Sequence, residues 1–89
     1  MEINLEQICR SKGISGTLLV EMEKKDVKLI DIGRALNKTK QAAHKQLHKP
    51  NDKYSEREIE ELGKIIGVSE QKIEILKKIL EESLYAKWE

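Results

Sequence analysis

Apolar side chains recur along this chain three and four residues apart, the interval that lines one face of a helix. Leu5, Ile8 and Cys9 form a small apolar face behind a cap at Asn4, with Gln7 three residues on, and Gly13 stops this first short helix. Ser15 or Thr17 caps the next helix, which runs through Leu18, Leu19 and Met22 to Lys25, with Glu21 and Glu23 ahead of Lys24 and Lys25 as the helix dipole prefers. Ile32, Gly33 and Leu36 then place an apolar stripe with a small gap on a third helix, and Ala43 and Leu47 continue it on a fourth. Asn37 sits at the corner between them, where left-handed backbone must be tolerated, and Thr39 caps the second of the pair. Pro50 ends that helix, and Lys49 to Tyr54 is a loop. Ser55 and Glu58 form a capping box, and Tyr54 with Ile59 a hydrophobic staple, for a helix whose inner face is Ile59, Leu62, Ile65 and Ile66 before Gly67. Val68 and Ile73 make a second staple around Ser69, opening a helix over 69–88 with two apolar stripes.

One stripe, Ile73, Leu76, Leu80 and Leu84, is enough to close a five-helix domain. The other, Ile75, Ile79 and Trp88 with Tyr85, is spare, and apolar surface of this kind is seldom left exposed. It predicts a symmetric homodimer through Ile75, Ile79, Leu84 and Trp88; the alternative is a last helix folded back on the extra helix of residues 1–13.

Composition narrows the class. At 89 residues the chain is expected to be one domain over 1–89, burying roughly 60 to 65 per cent of its unfolded surface without disulfides or metal. With no Phe, one Trp and two Tyr, the core must be aliphatic, and the abundance of Lys, Glu and Ile favours an all-α protein. A single Cys forms no internal disulfide, and Cys9 on an apolar face is expected to be a small core residue. No apolar run approaches the roughly 20 residues of a membrane span, and no signal-peptide pattern opens the chain, so a cytoplasmic protein without membrane contact is expected.

The net charge of +1 conceals a segregation: residues 1–33 sum to −1, residues 34–53 to +5 and residues 54–89 to −3. A basic patch confined to the paired helices, on a near-neutral body, is the footprint of a phosphate binder. Counted from Ala43 at 3.6 residues per turn, the outward positions of the second helix are Gln41, His44, Lys45, His48 and Lys49, with Lys40 and Ala42 on the shoulders. Gln pairs with adenine N6 and N7, Lys donates to guanine O6 and N7, and a small Ala42 lets the helix approach a thymine methyl.

The stretch LNKTKQAAHKQLH resembles the turn and recognition helix of the Cro and λ-repressor-like helix-turn-helix family, at Leu36, Thr39, Ala43, Leu47 and His48. The run PNDKYSEREIEELGKIIGVS resembles the loop, fourth helix and turn that follow, so the resemblance spans roughly residues 17 to 80. It implies a five-helix λ-repressor-like fold around a helix-turn-helix at 28–49, with an extra N-terminal helix. It also implies a DNA-binding transcriptional regulator, a repressor of the compact kind found in bacteriophages and other mobile elements, reading double-stranded DNA in the major groove with the helix 39–48. Lys40, Gln41, His44 and Lys45 would read bases, while Arg34, Lys38, Thr39, Lys49 and Lys53 would hold phosphates.

One departure stands out. Lys28 and Leu29, followed by Ile30, occupy positions where the resemblance implies a polar residue and a phosphate-reaching glutamine. Two roles are open to Leu29 and Ile30, packing on the extra helix or forming an apolar protein-contact patch; the latter gives the alternative reading, a protein-binding module such as a small phage-encoded inhibitor or antirepressor. Other chemistry is sparse. His44 and His48 lie four apart without a nearby Cys, Asp or Glu to complete a metal site, and no carboxylate pair, nucleophile with base or glycine-rich phosphate loop occurs. No enzyme, cofactor, metal or small-molecule substrate is expected.

Overall fold

Asn4 opens the first helical run by accepting a hydrogen bond from the Glu6 amide at 2.8 Å. The computed structural model describes residues 4–86, and over these the chain is all-helical. The order is α1 (Leu5–Lys25), α2 (Leu29–Leu36), α3 (Lys40–Gln46), a 3-10 turn at Asn51–Lys53, α4 (Glu56–Ile66) and α5 (Glu70–Ala86).

Gly13 breaks α1 with φ 77° and ψ 179°, a conformation essentially reserved for glycine. The break leaves the amide of Ile14 without a helical partner, and Asn51 Oδ1 accepts it at 2.9 Å from the 3-10 turn. Ser15 and Thr17 therefore do not cap this segment, as expected from local sequence; both lie inside it, and the buried Thr17 hydroxyl donates to the Gly13 carbonyl at 2.7 Å. A cap supplied from 37 residues away leaves no mark in the neighbouring sequence.

The next two helix ends close alike. Asp26 and Asn37 take left-handed backbone at φ 55° and 56°, and the following amides reach back, Val27 to Met22 O at 2.9 Å and Lys38 to Gly33 O at 2.7 Å.

One core joins all five helices, with Ile14, Leu18, Ile32, Leu47, Ile59, Leu62 and Leu76 fully buried. Its largest helix pair is α1 against α5. That pairing corrects the spare-stripe expectation: Ile79 is 5% exposed and inside the core, and Ile75 is half-buried against it. The folded-back alternative is the one adopted. Leu84 and Tyr85 remain exposed at the end of α5, while Trp88 lies outside the described residues. Ion pairs run along the α1–α5 seam, joining Arg10 to Glu82, Lys78 to Glu6 at 3.1 Å, and Lys72 to Glu21, whose carboxylate is almost wholly buried. Among the described residues no helix is long and apolar enough to cross a membrane.

Candidate nucleic-acid interface

The angle between α2 and α3 is set at Gly33. A Cβ placed there would stand 2.8 Å from the backbone carbonyl oxygen of Lys38, so the turn can fold onto α2 only because that position has no side chain. Thr39 Oγ1 then accepts from the Ala42 amide at 3.1 Å and starts α3. Ala43 and Leu47 are fully buried, and among the described helices the backbone of α3 approaches only that of α2.

The helical span is shorter than the expected 39–48. Leu47 leaves helical geometry at φ −96° and ψ 3°, so His48 and Lys49 lie beyond the end of α3. The carbonyls freed there are gathered by side chains. Tyr54 donates its hydroxyl to Gln46 O at 2.6 Å, Ser15 donates to Lys49 O at 2.7 Å, and the two hydroxyl oxygens lie 2.6 Å apart. Two hydroxyl hydrogens thus serve three short contacts, which makes the cluster a coupled chain rather than three independent bonds. Burial pushes the Tyr54 phenol above its ordinary value of 10.0, against the opposing effect of the Ser15 hydrogen bond.

Glu58 completes the anchor. Its Oε2 accepts from Lys49 Nζ at 2.6 Å and from Gln46 Nε2 at 3.1 Å, while the Ser55 hydroxyl accepts from the Glu58 amide at 3.1 Å. Burial alone would push the Glu58 carboxyl up, but the hydrogen bonds from Lys49 and Gln46 and the Lys49 charge outweigh it and hold the carboxyl below its ordinary value. The Lys49 ammonium also sits 5.5 Å from the centroid of the Tyr54 ring. Lys49, expected on a phosphate, is thereby committed within the protein.

The rest of the expected set is exposed. Lys40, Gln41, His44 and Lys45 are exposed on α3, His48 is exposed just past its end, and Arg34 and Lys53 are exposed on α2 and the 3-10 turn. Among the described residues, the side chains of Arg34, Lys40, Lys45 and Lys53 make no hydrogen bond or ion pair, whereas Lys38 Nζ donates to Gln46 Oε1 at 3.2 Å. The rings of His44 and His48 stack with centroids 4.0 Å apart. His48 Nδ1 lies 2.8 Å from the His44 carbonyl oxygen, so this nitrogen is the donor and Nε2 is left outward. No group of three or more His, Cys, Asp or Glu that could hold a metal occurs among the described residues.

Beside this face, Ile30 is 47% exposed and Leu29 half-buried. A shallow cleft lies between Leu29 and α3, lined by Leu29, Lys40, Gln41, His44 and Lys45. Of the residues that position the site, Ser15, Gln46 and Asn51 escaped the sequence reading, because each acts on a partner outside its own helix. Gly33, Thr39, Tyr54 and Glu58 announced themselves, but the capping box expected of Ser55 and Glu58 is only half formed, because the Glu58 carboxylate turns to Lys49 and Gln46 instead. Compared with family models, with curated proteins and with solved structures, the chain matches none.

Proposed function

We propose that the chain is a sequence-specific DNA-binding transcriptional regulator, a repressor with a λ-repressor-like arrangement acting in the cytoplasm, that lays α3 in the major groove of double-stranded DNA. The observation that carries this reading is the division of α3 into two faces. Ala43 and Leu47 are sealed in the core, while Lys40, Gln41, His44 and Lys45 project together with uncommitted donors. An α-helix with its side chains is about 10–12 Å across, which fits a major groove about 12 Å wide. Arg34 on α2 and Lys53 on the 3-10 turn are exposed cations with no partner among the described residues, available for phosphate, with Lys38 and the exposed Thr39 beside the turn. The repressor assignment rests on the sequence resemblance.

The test is a salt titration of duplex binding at a fixed pH near 8. Four uncommitted cations, Arg34, Lys40, Lys45 and Lys53, should give a slope of log affinity against log salt of about −3 to −4 per bound protomer, and about twice that where two copies bind one site. Lys53→Ala should flatten the slope by about one unit per protomer on every sequence. A slope near zero with weak affinity for every duplex would remove the reading.

A second reading is favoured by the exposure of Ile30 next to Leu29: a protein-binding module of the same fold, docking an apolar partner through these two residues. It predicts that Ile30→Asp abolishes partner binding and leaves the salt slope on DNA unchanged.

A further inference from the structure

We propose that the cleft between Leu29 and the outward face of α3 receives the 5-methyl group of a thymine, which makes Leu29 a specificity-determining residue. This deepens the DNA-binding reading and rests on it.

Four of the five residues lining the cleft end in polar groups, yet its exposed lining is almost wholly apolar. The wall is therefore made by Leu29 and the carbon parts of Lys40, Gln41, His44 and Lys45, with their nitrogen-bearing ends outside it. A phosphate has no donor to meet within such a notch, and the polar edge of a guanine or adenine would be desolvated there without compensation. A methyl group loses nothing on entry. In the major groove thymine alone among the four bases carries a methyl, and it sits beside the O4 acceptor. Gln41 and Lys40 at the rim supply donors for such an acceptor, whereas cytosine would offer them its N4 donor and no methyl. The charge agrees with this occupant: among the described residues neither Lys40 nor Lys45 has an ion-pair partner, and both lie at the cleft, in the segment of net +5 that would face the flanking phosphates.

The experiment begins with selection of bound duplexes from random DNA. In the selected duplex each thymine is then replaced singly by deoxyuridine, which keeps O4 and lacks only the methyl. Burying one methyl is worth about fourfold in affinity, so one thymine per protomer should show a loss of about three- to fivefold and the others none. In Leu29→Ala that thymine and deoxyuridine should bind equally. Leu29→Met, which keeps the volume, should retain the thymine preference. Because the wild-type comparison of thymine with deoxyuridine needs no variant, a poorly folded Leu29→Ala would not rescue the idea. Specific binding indifferent to every deoxyuridine, or a methyl effect that persists in well-folded Leu29→Ala, would overturn the role of Leu29 while leaving DNA binding intact. Absence of any salt-sensitive duplex binding would overturn both.

Discussion

Tyr54 joins two functions in one side chain. Its ring is buried in the core ahead of α4, and its hydroxyl closes the end of α3. Tyr54→Phe should keep the ring and lose the hydroxyl, at a cost of about 1–2 kcal/mol from the freed Gln46 carbonyl and the disturbed Ser15 contact. Burial raises the folded-state pKa of this phenol, so its contribution is fully present below the ordinary value of 10.0 and lost as pH rises through the raised value. Urea unfolding at pH 8 should thus show the wild type as the more stable form, and the gap should close in strongly alkaline solution. A gap that widens with pH would contradict the account. The apolar half of Tyr54 was legible, because its staple partner Ile59 lies five positions on. The hydroxyl was not, because its partners, Gln46 and Ser15, belong to other helices.

At the scale of elements, the pair α2 and α3 depends on the missing side chain at Gly33. In an exposed helix, alanine in place of glycine stabilises by about 0.5–1 kcal/mol. Here the added Cβ meets backbone at the turn, which cannot move aside without carrying α3 with it. Gly33→Ala should destabilise by about 1–3 kcal/mol and weaken duplex binding on all sequences, as thermal unfolding and binding assays would show. Thermal stabilisation would mean that the turn is looser than its geometry indicates. The gap at Gly33, the corner at Asn37 and the cap at Thr39 could all be read in advance, since each answers to residues within a turn or two. The early end of α3 at Gln46 and the capping of α1 by Asn51 could not, since both answer to distant groups.

Across the whole molecule, the seam between α1 and α5 decides what the second stripe of α5 meets. Periodicity states that a face is to be covered and is silent on the cover, so Ile75 and Ile79 suit a second copy as well as the chain's own α1. The buried pair Lys72 and Glu21 crosses this seam. Lys72→Ala leaves the Glu21 carboxylate buried without its cation and should cost about 2–4 kcal/mol, less than for a fully enclosed pair because Lys72 is partly exposed. For a domain of this size that lowers the melting temperature by roughly 10–25 °C. Replacing both residues by Met should recover most of the loss, because the pair's attraction mainly offsets its own desolvation. If the single variant melts with the wild type, the pair has no structural weight.

On α3, holding the fold and the reading proposed for it fall to different side chains. Ala43 and Leu47 face the core, and among the described residues the side chains of Lys40, Gln41 and Lys45 form no hydrogen bond or ion pair. Exposed positions of this sort accept substitution at little energetic cost. Those three residues can be exchanged one by one without unfolding the scaffold, so under the proposed function what the protein recognises can be altered while the fold that presents it stays the same.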